Sequence, residues 1–292
     1  MLIIAFLSVV ILGVVGLSFF IAEKTLQPRH RNKKKTPSDF GMKYEDVWYR
    51  HKGHSYHGWM IRAADEVRPT VVFVHGWESS AQGMLPHAQF MRDLGLHMFL
   101  FDARGHGYSD PSDFMSLVRM SEDLDAALDY VVTRSEVDTA RLLVFGHSMG
   151  GATAVMVAAR RPGLRGLVVS SAFSDFRKMT RDMLRSMHLP YWPFGPLLFF
   201  FWNRKLKIDI NEWHPVVNMR KVDVPVFLAH GTDDETLADD HFTDLTHAAR
   251  NPQALVIPHG RHRNLHEFEV YRQSIREFAL ELLSREGIQK AG

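Results

Sequence analysis

One stretch limits the possible folds more than any other: Arg141–Ala152, RLLVFGHSMGGA. Five residues of strand character, Arg141–Phe145, run into Gly146-His147-Ser148-Met149-Gly150, and a small-residue run of helical character follows. A strand that turns directly into a helix strains the backbone at the corner and leaves no room for bulky neighbours. Glycines on both sides of Ser148 answer that demand. G-x-S-x-G in a strand–turn–helix setting marks Ser148 as a candidate nucleophile. The helix N-terminus that follows favours negative charge beside its oxygen.

Composition narrows the chemistry further. Cysteine is absent from the 292 residues, which excludes disulfides, thiolate metal sites and cysteine nucleophiles. Hydrophobic content of 46% suits one large α/β domain once an N-terminal apolar segment is set aside. The net charge of +2 hides an asymmetry. Residues 1–38 carry six Lys/Arg (Lys24, Arg29, Arg31, Lys33, Lys34, Lys35) and one acid, Glu23; the remainder carries 29 bases and 32 acids. A short basic run beside an apolar one points to anionic lipid headgroups and away from nucleic acid.

Leu2–Ala22 is 21 residues without a charge, roughly 31 Å as a helix and close to the hydrocarbon thickness of a bilayer. No Lys or Arg precedes it, and Phe19-Phe20-Ile21-Ala22-Glu23 is a poor cleavage site, so a retained anchor (residues 1–23) is expected rather than a signal peptide. The positive flank predicts a single-pass orientation with the remainder of the chain in the cytoplasm. Residues 24–39 read as a basic tether and 286–292 as a tail.

Between them, residues 40–285 alternate strand and helix. Tyr44–His51 and His54–Ile61 read as strands around Lys52-Gly53. Histidines 51, 54 and 57 fall three apart, which on a strand alternates faces, so exposed histidines are expected there, not a metal site. Thr70–His75 is a continuous apolar strand ending in His75-Gly76-Trp77. An oxyanion needs two backbone donors, and the N–H groups of Trp77 and Met149 are the candidates. Strand His97–Phe101 leads into Asp102–Asp110, which contains Asp, His and Ser but reads as a tight loop held by Asp102 and Arg104. Helices are expected at Met84–Leu94, Ser116–Arg134, 149–160, Asp239–Arg250 and Leu265–Arg285, and strands at Leu164–Ser170, Val224–His230 and Ala254–Pro258.

The alternation stops at about residues 172–215, a cap insertion. Phe173–His188 has helical spacing and four basic residues. Leu189–Trp202 packs seven aromatics into 14 residues and reads as broken by Pro190, Pro193, Gly195 and Pro196. Tyr191, Trp192 and Phe194, with Trp77, are expected to wall an apolar pocket. An acid to orient a histidine belongs after a late strand, where Asp233, Asp234 and Glu235 compete. The histidine itself is one of His259, His262 and His266.

Taken together, residues 40–285 resemble the α/β-hydrolase superfamily, in its esterase, monoacylglycerol-lipase and serine-aminopeptidase-like branch. The resemblance rests on the elbow after the fifth strand, the cap after the sixth, His75-Gly76, Asp102-x-Arg104-Gly105-His106-Gly107-x-Ser109 and Gly146–Gly151. It implies a mostly parallel sheet flanked by helices. It also implies Asp234, the fifth residue of H-G-x-x-D, as the acid, and His262, closing Pro258–His262, as the base. The expected activity is hydrolysis of a small-molecule or lipid ester, or thioester, by Ser148, His262 and Asp234, with neither cofactor nor metal. An aminopeptidase-type peptidase would want acidic residues in the cap. A non-catalytic membrane-tethered binding protein would show an incomplete triad.

Overall fold

The computed structural model describes residues 1–28 and 35–284. Strands β1 (Glu45–His51) and β2 (His54–Ile61) form an antiparallel hairpin. Its turn residues Lys52 and Gly53 both have positive φ, 46° and 83°, the mirror-image turn that matches strand twist. The chain then lays down β3 (Arg68–Val74), β4 (His97–Phe101), β5 (Val137–His147), β6 (Leu164–Ser170), β7 (Val226–Gly231) and β8 (Gln253–Ile257). They join one eight-stranded sheet in the order β1-β2-β4-β3-β5-β6-β7-β8, parallel from β4 to β8. Val71–Val74 of β3 are fully buried, as a strand covered on both faces must be. From β3 the chain goes to β4 on one side and later to β5 on the other. Crevices open at such a reversal, beyond the carboxyl ends of the strands, and there His75-Gly76-Trp77 and Ser148 meet.

Helices α1 (Leu2–Thr25), α2 (Leu85–Met91), α3 (Leu117–Val131), α4 (Met149–Ala158), α5 (Phe176–Ser186), α6 (Tyr191–Leu206), α7 (Pro215–Met219), α8 (Asp239–Ala248) and α9 (Glu269–Leu283) complete the chain. One face of the sheet is covered through Leu124, Leu128 and Val131 of α3, Val155 of α4 and Leu245 of α8. The other is covered through Leu85, Ala88 and Met91 of α2 and Ile275 and Phe278 of α9. Capping fixes the starts: Ser116 accepts from the Arg119 N–H at 3.3 Å, and Asp175 accepts from Arg177 and Lys178 at 2.6 and 3.1 Å, each worth about 1 kcal/mol.

The cap differs from expectation. Its aromatic stretch is broken at one place and not at four: Trp192 is extended (φ −98°, ψ 128°), and from Pro193 the helix runs on to Leu206. Trp192 precedes a proline, which disfavours the helical conformation there. Pro193 and Pro196 both fall in the first turn after that kink, where N–H groups have no acceptor to lose. From Leu197 on, nothing interrupts the helix.

Helix α1 is apolar and long enough to cross a membrane by length and composition. Its first turns are exposed, whereas Ser18, Ile21, Ala22 and then Leu26 are buried against the cap. Phe19 meets Phe201 edge-on at 5.3 Å. Trp202 Nε1 donates to Ala22 O and Thr25 Oγ1 at 3.3 and 3.1 Å, and Lys205 pairs with Glu23 at 3.0 Å. At the start of the expected tether, Lys24 and Thr25 are helical, and Leu26 O accepts from Met115 N at 2.7 Å. The basic residues Arg29, Arg31, Lys33 and Lys34, and the tail 286–292, lie outside the described residues.

Candidate active site

Ser148 sits between β5 and α4 with φ 55° and ψ −121°, a conformation that side chains other than glycine rarely adopt. Its neighbours explain how it is held. A Cβ on Gly146 would lie 2.2 Å from Gly150 O, and one on Gly150 would lie 2.1 Å from Val74 O. The strand, corner and helix pack closer than any side chain allows. A Cβ on Gly76 would lie 3.2 Å from Ser148 Cβ, so the loop after β3 closes directly on the serine. The Ser148 N–H donates to Ser170 O at 2.8 Å, pinning the corner to β6.

Two further loops converge on it. The Thr232 N–H donates to Ile257 O and the Asp233 N–H to Gly260 O, at 3.0 and 2.9 Å, which ties the loop after β7 to the turn after β8. This brings His262 Nδ1 to 2.8 Å from Asp234 Oδ2 and His262 Nε2 to 3.0 Å from Ser148 Oγ. Asp234 Oδ1 also accepts from the Thr236 and Leu237 N–H groups, both at 2.9 Å. Burial pushes the Asp234 carboxyl up, but the His262 hydrogen bond and charge and those two N–H groups outweigh it and hold it below its usual value. A carboxylate only accepts, so Nδ1 carries a proton. In the neutral ring Nε2 then offers its lone pair to the serine hydroxyl, within reach for proton transfer.

The alternatives lie elsewhere. Asp233 faces His259 at 3.4 Å, both of them exposed. Glu235 accepts from the backbone N–H of His262 at 3.3 Å, not from its ring. His266 packs against His87 with ring centroids 5.4 Å apart. Behind the serine lies a feature that spacing did not reveal: His147, between His262 (5.2 Å) and His87 (5.9 Å). Burial holds His147 well below the usual imidazole range and His87 down to about 3. Both rings stay neutral near pH 7 and put no fixed charge beside His262. The x of G-x-S-x-G was the one available signal.

Ser148 opens into a cavity of about 900 Å³. Trp77 and Met149, the two expected backbone donors, both line it. Met149 is the first residue of α4, so its N–H points out of a helix end without a carbonyl one turn earlier. The other expected wall residues do not line the cavity. Phe194 turns into the cap's own core, Trp192 is 75% exposed at the kink, and Tyr191 lies under Arg181 at 5.7 Å. The apolar wall comes instead from Phe173, Phe176, Met179, Met183 and Trp202, and from α1 itself through Phe20, Ile21 and Leu26.

The Asp102–Asp110 loop is structural, as read. Asp102 accepts from Ala81 N at 2.8 Å and Tyr108 N at 3.0 Å, and Arg104 Nε reaches buried Asp123 at 2.6 Å. One expectation fails beside it: His57 is not exposed. It is 2% accessible, with Nδ1 2.7 Å from Asp102 Oδ2 and Nε2 2.9 Å from Asp46 Oδ1. Its partner is 45 residues away, so local alternation could not place it.

Comparison with known proteins agrees with the fold. The family model described as serine aminopeptidase, S33, matches residues 65–198, a span that holds Gly76 and Ser148 and ends before Asp234 and His262. The Alpha/beta hydrolase domain-containing protein WAV2 of Arabidopsis thaliana is 27% identical over 253 residues, covering 83% of this chain and 80% of that protein. Uncharacterized protein YfhR of Escherichia coli (strain K12) is 26% identical over 242 residues, covering 80% and 78%. Among solved structures, the esterase Pf2001 of Pyrococcus furiosus matches with a TM-score of 0.72 at 22% identity, covering 89% of this chain and 98% of its own. Est1E of Butyrivibrio proteoclasticus, bound to ferulic acid, matches at 0.67 and 19%, covering 82% and 100%. At such identities the structural likeness establishes the fold.

Proposed function

We propose that the chain is a member of the α/β-hydrolase superfamily, as the matching family model and the shared fold support, and within it a membrane-anchored serine hydrolase of carboxylic esters, or thioesters, with apolar acyl groups. The observation that carries the proposal is the line Asp234–His262–Ser148, 2.8 and 3.0 Å between polar atoms, at the floor of a largely apolar cavity. His262 takes the Ser148 proton as Oγ attacks the acyl carbonyl. Asp234 holds the ring and stabilises the imidazolium. The N–H groups of Met149 and Trp77 receive the oxyanion. His262 returns the proton to the departing alcohol or thiol. A water, deprotonated by His262, then releases the acid and restores the serine. Helix α1 is the anchor, and its basic flank sets the domain in the cytoplasm.

The test is hydrolysis by the full chain of acyl esters graded in chain length, with Ser148→Ala as control. Turnover that rises with acyl length and vanishes in the variant is expected. A preference for acetyl esters alone overturns the apolar-acyl reading. A second reading, an aminopeptidase, draws on the description of the matching family model and on Asp182 and Glu235 at the cavity. Asp182, however, already accepts from the Ala238 N–H and faces His241 Nε2, both at 3.2 Å, which leaves it poorly placed to hold a substrate ammonium. Aminoacyl nitroanilides should therefore be left intact.

A further inference from the structure

Helix α1 does two things at once: it supplies the apolar run that would cross a bilayer and it lines the cavity over Ser148. Its first charged residues are Glu23 and Lys24. A charge is expensive inside hydrocarbon, so these residues mark the water boundary of a spanning α1. Phe20 and Ile21, on the bilayer side of that boundary, and Lys24 and Leu26, on the water side, all line the cavity. The boundary thus passes along the cavity wall. The surroundings agree. Phe19, Phe20 and, on α6, Phe200 are 51%, 57% and 59% exposed, while Lys24, Arg204, Lys205 and Lys207 are exposed or half-buried just beyond them. Aromatic rings flanked by cations are the composition of a headgroup belt. The exposed rings therefore suit the bilayer that a spanning α1 would cross.

Resting on the serine-hydrolase reading, we propose that the docked end of α1 is a wall of the acyl site, and that the substrate is a membrane-resident, long-chain acyl ester that enters from the leaflet without passing through water. The cavity size supports this: about 900 Å³ is near the top of the range of roughly 300–1,000 Å³ for ligand pockets and far exceeds what a short acyl group fills. Met149, Met179 and Met183 line it, and thioether side chains adapt to flexible chains of different length. The wall is held in place by Trp202 Nε1 bonded to Ala22 O and Thr25 Oγ1, by Met115 N bonded to Leu26 O, and by Lys205 paired with Glu23. Residues 39–292 alone would keep the triad geometry but lose one side of the pocket.

The test uses the full chain in phosphatidylcholine nanodiscs and a long-chain alkyl fluorophosphonate with a diazirine at the far end of the alkyl chain. Ser148 Oγ bonds to phosphorus, fluoride leaves, and the hydroxyl proton passes to His262. Light then joins the chain end to whatever it touches. Cross-links within residues 18–28 are expected. Labelled Ser148 with cross-links confined to α5 and α6 overturns this inference and leaves the hydrolase reading standing; no covalent label overturns both. In a second arm, Ile21→Trp fills the wall position. The ratio of kcat/KM for a hexadecanoyl over a butanoyl ester should fall about tenfold. An unchanged ratio in the folded variant overturns the proposal, and the cross-link decides alone if the variant does not fold.

Discussion

The molecule contains two buried histidine–aspartate pairs of nearly the same geometry, His262–Asp234 at 2.8 Å and His57–Asp102 at 2.7 Å. A serine hydroxyl stands near each. What separates them is the second ring nitrogen. In His262 it faces Ser148 Oγ at 3.0 Å; in His57 it faces a second carboxylate, Asp46, at 2.9 Å. The two carboxylates favour the protonated ring and raise its pKa. Donating to both, the imidazolium has no lone pair left to accept a proton. Ser109 meanwhile donates to Asp102 O at 2.6 Å and accepts from the His57 N–H at 2.9 Å, so it never meets the ring. A histidine–aspartate pair is a base only when its far nitrogen is left an exchangeable partner and a cavity to work in. Closed by a second acid, the same pair is a fastener.

The sharpest way to break this contrast is at the two serines. Ser148→Ala should cut ester hydrolysis by about 10³-fold or more, and adding His262→Ala should cost little further, because such residues act as a unit. Ser109→Ala should keep full activity per folded molecule and lose about 1–3 kcal/mol of stability from two buried hydrogen bonds. Initial rates and urea midpoints on the same preparations check both. Next come the acids. Asp234→Asn should lower kcat by up to roughly 10⁴-fold, through the wrong tautomer, with little change in melting temperature. Asp102→Asn should do the reverse, costing about 3 kcal/mol by breaking the buried pair and leaving His57 with the exposed Asp46 alone. Equal effects of the two substitutions on both readouts would abolish the distinction.

The smallest effect is the pH dependence of His57. Burial alone would lower its pKa, but hydrogen bonds and charges from Asp102 and Asp46 prevail and raise it. A raised folded value means that the stabilisation is complete below the unfolded imidazole value of about 6.5 and fades as pH climbs through the folded one. The gap in denaturation midpoint between the parent and His57→Gln should be widest near pH 6 and narrow towards pH 9. A gap independent of pH would mean that His57 is neutral and that the fastener works by shape alone.

The parts legible in the sequence are those encoded over a few residues. The elbow, the loop after β3, most strand limits and the start of α3 follow from local sterics and periodicity. The positions of Asp234 and His262 among their neighbours came from resemblance, because Asp233 and Glu235, or His259 and His266, serve the chemistry equally well until the two loops are tied by the Asp233 N–H and Gly260 O. The failures are long-range. The aromatic run is visible in the sequence, but which rings face the cavity depends on the rotation of α6, which puts Trp202 in the wall and leaves Trp192 outside it. Pro190, Pro193, Gly195 and Pro196 read as separate breaks because nothing local says that the chain departs from the helix at Trp192 alone and that Pro193 and Pro196 share one first turn. His57 looked exposed because its partners arrive from β1 and from the loop after β4.

The bond between Trp202 and Ala22 joins residues 180 positions apart, and that distance is also an interval of time. During synthesis α1 leaves the ribosome well before α6 is made. Through that interval its buried stripe of Ser18, Ile21 and Ala22 has no intramolecular cover, and non-local contacts of this kind form late. The cavity over Ser148 is therefore unfinished until the N-terminal helix is reclaimed by a segment translated much later.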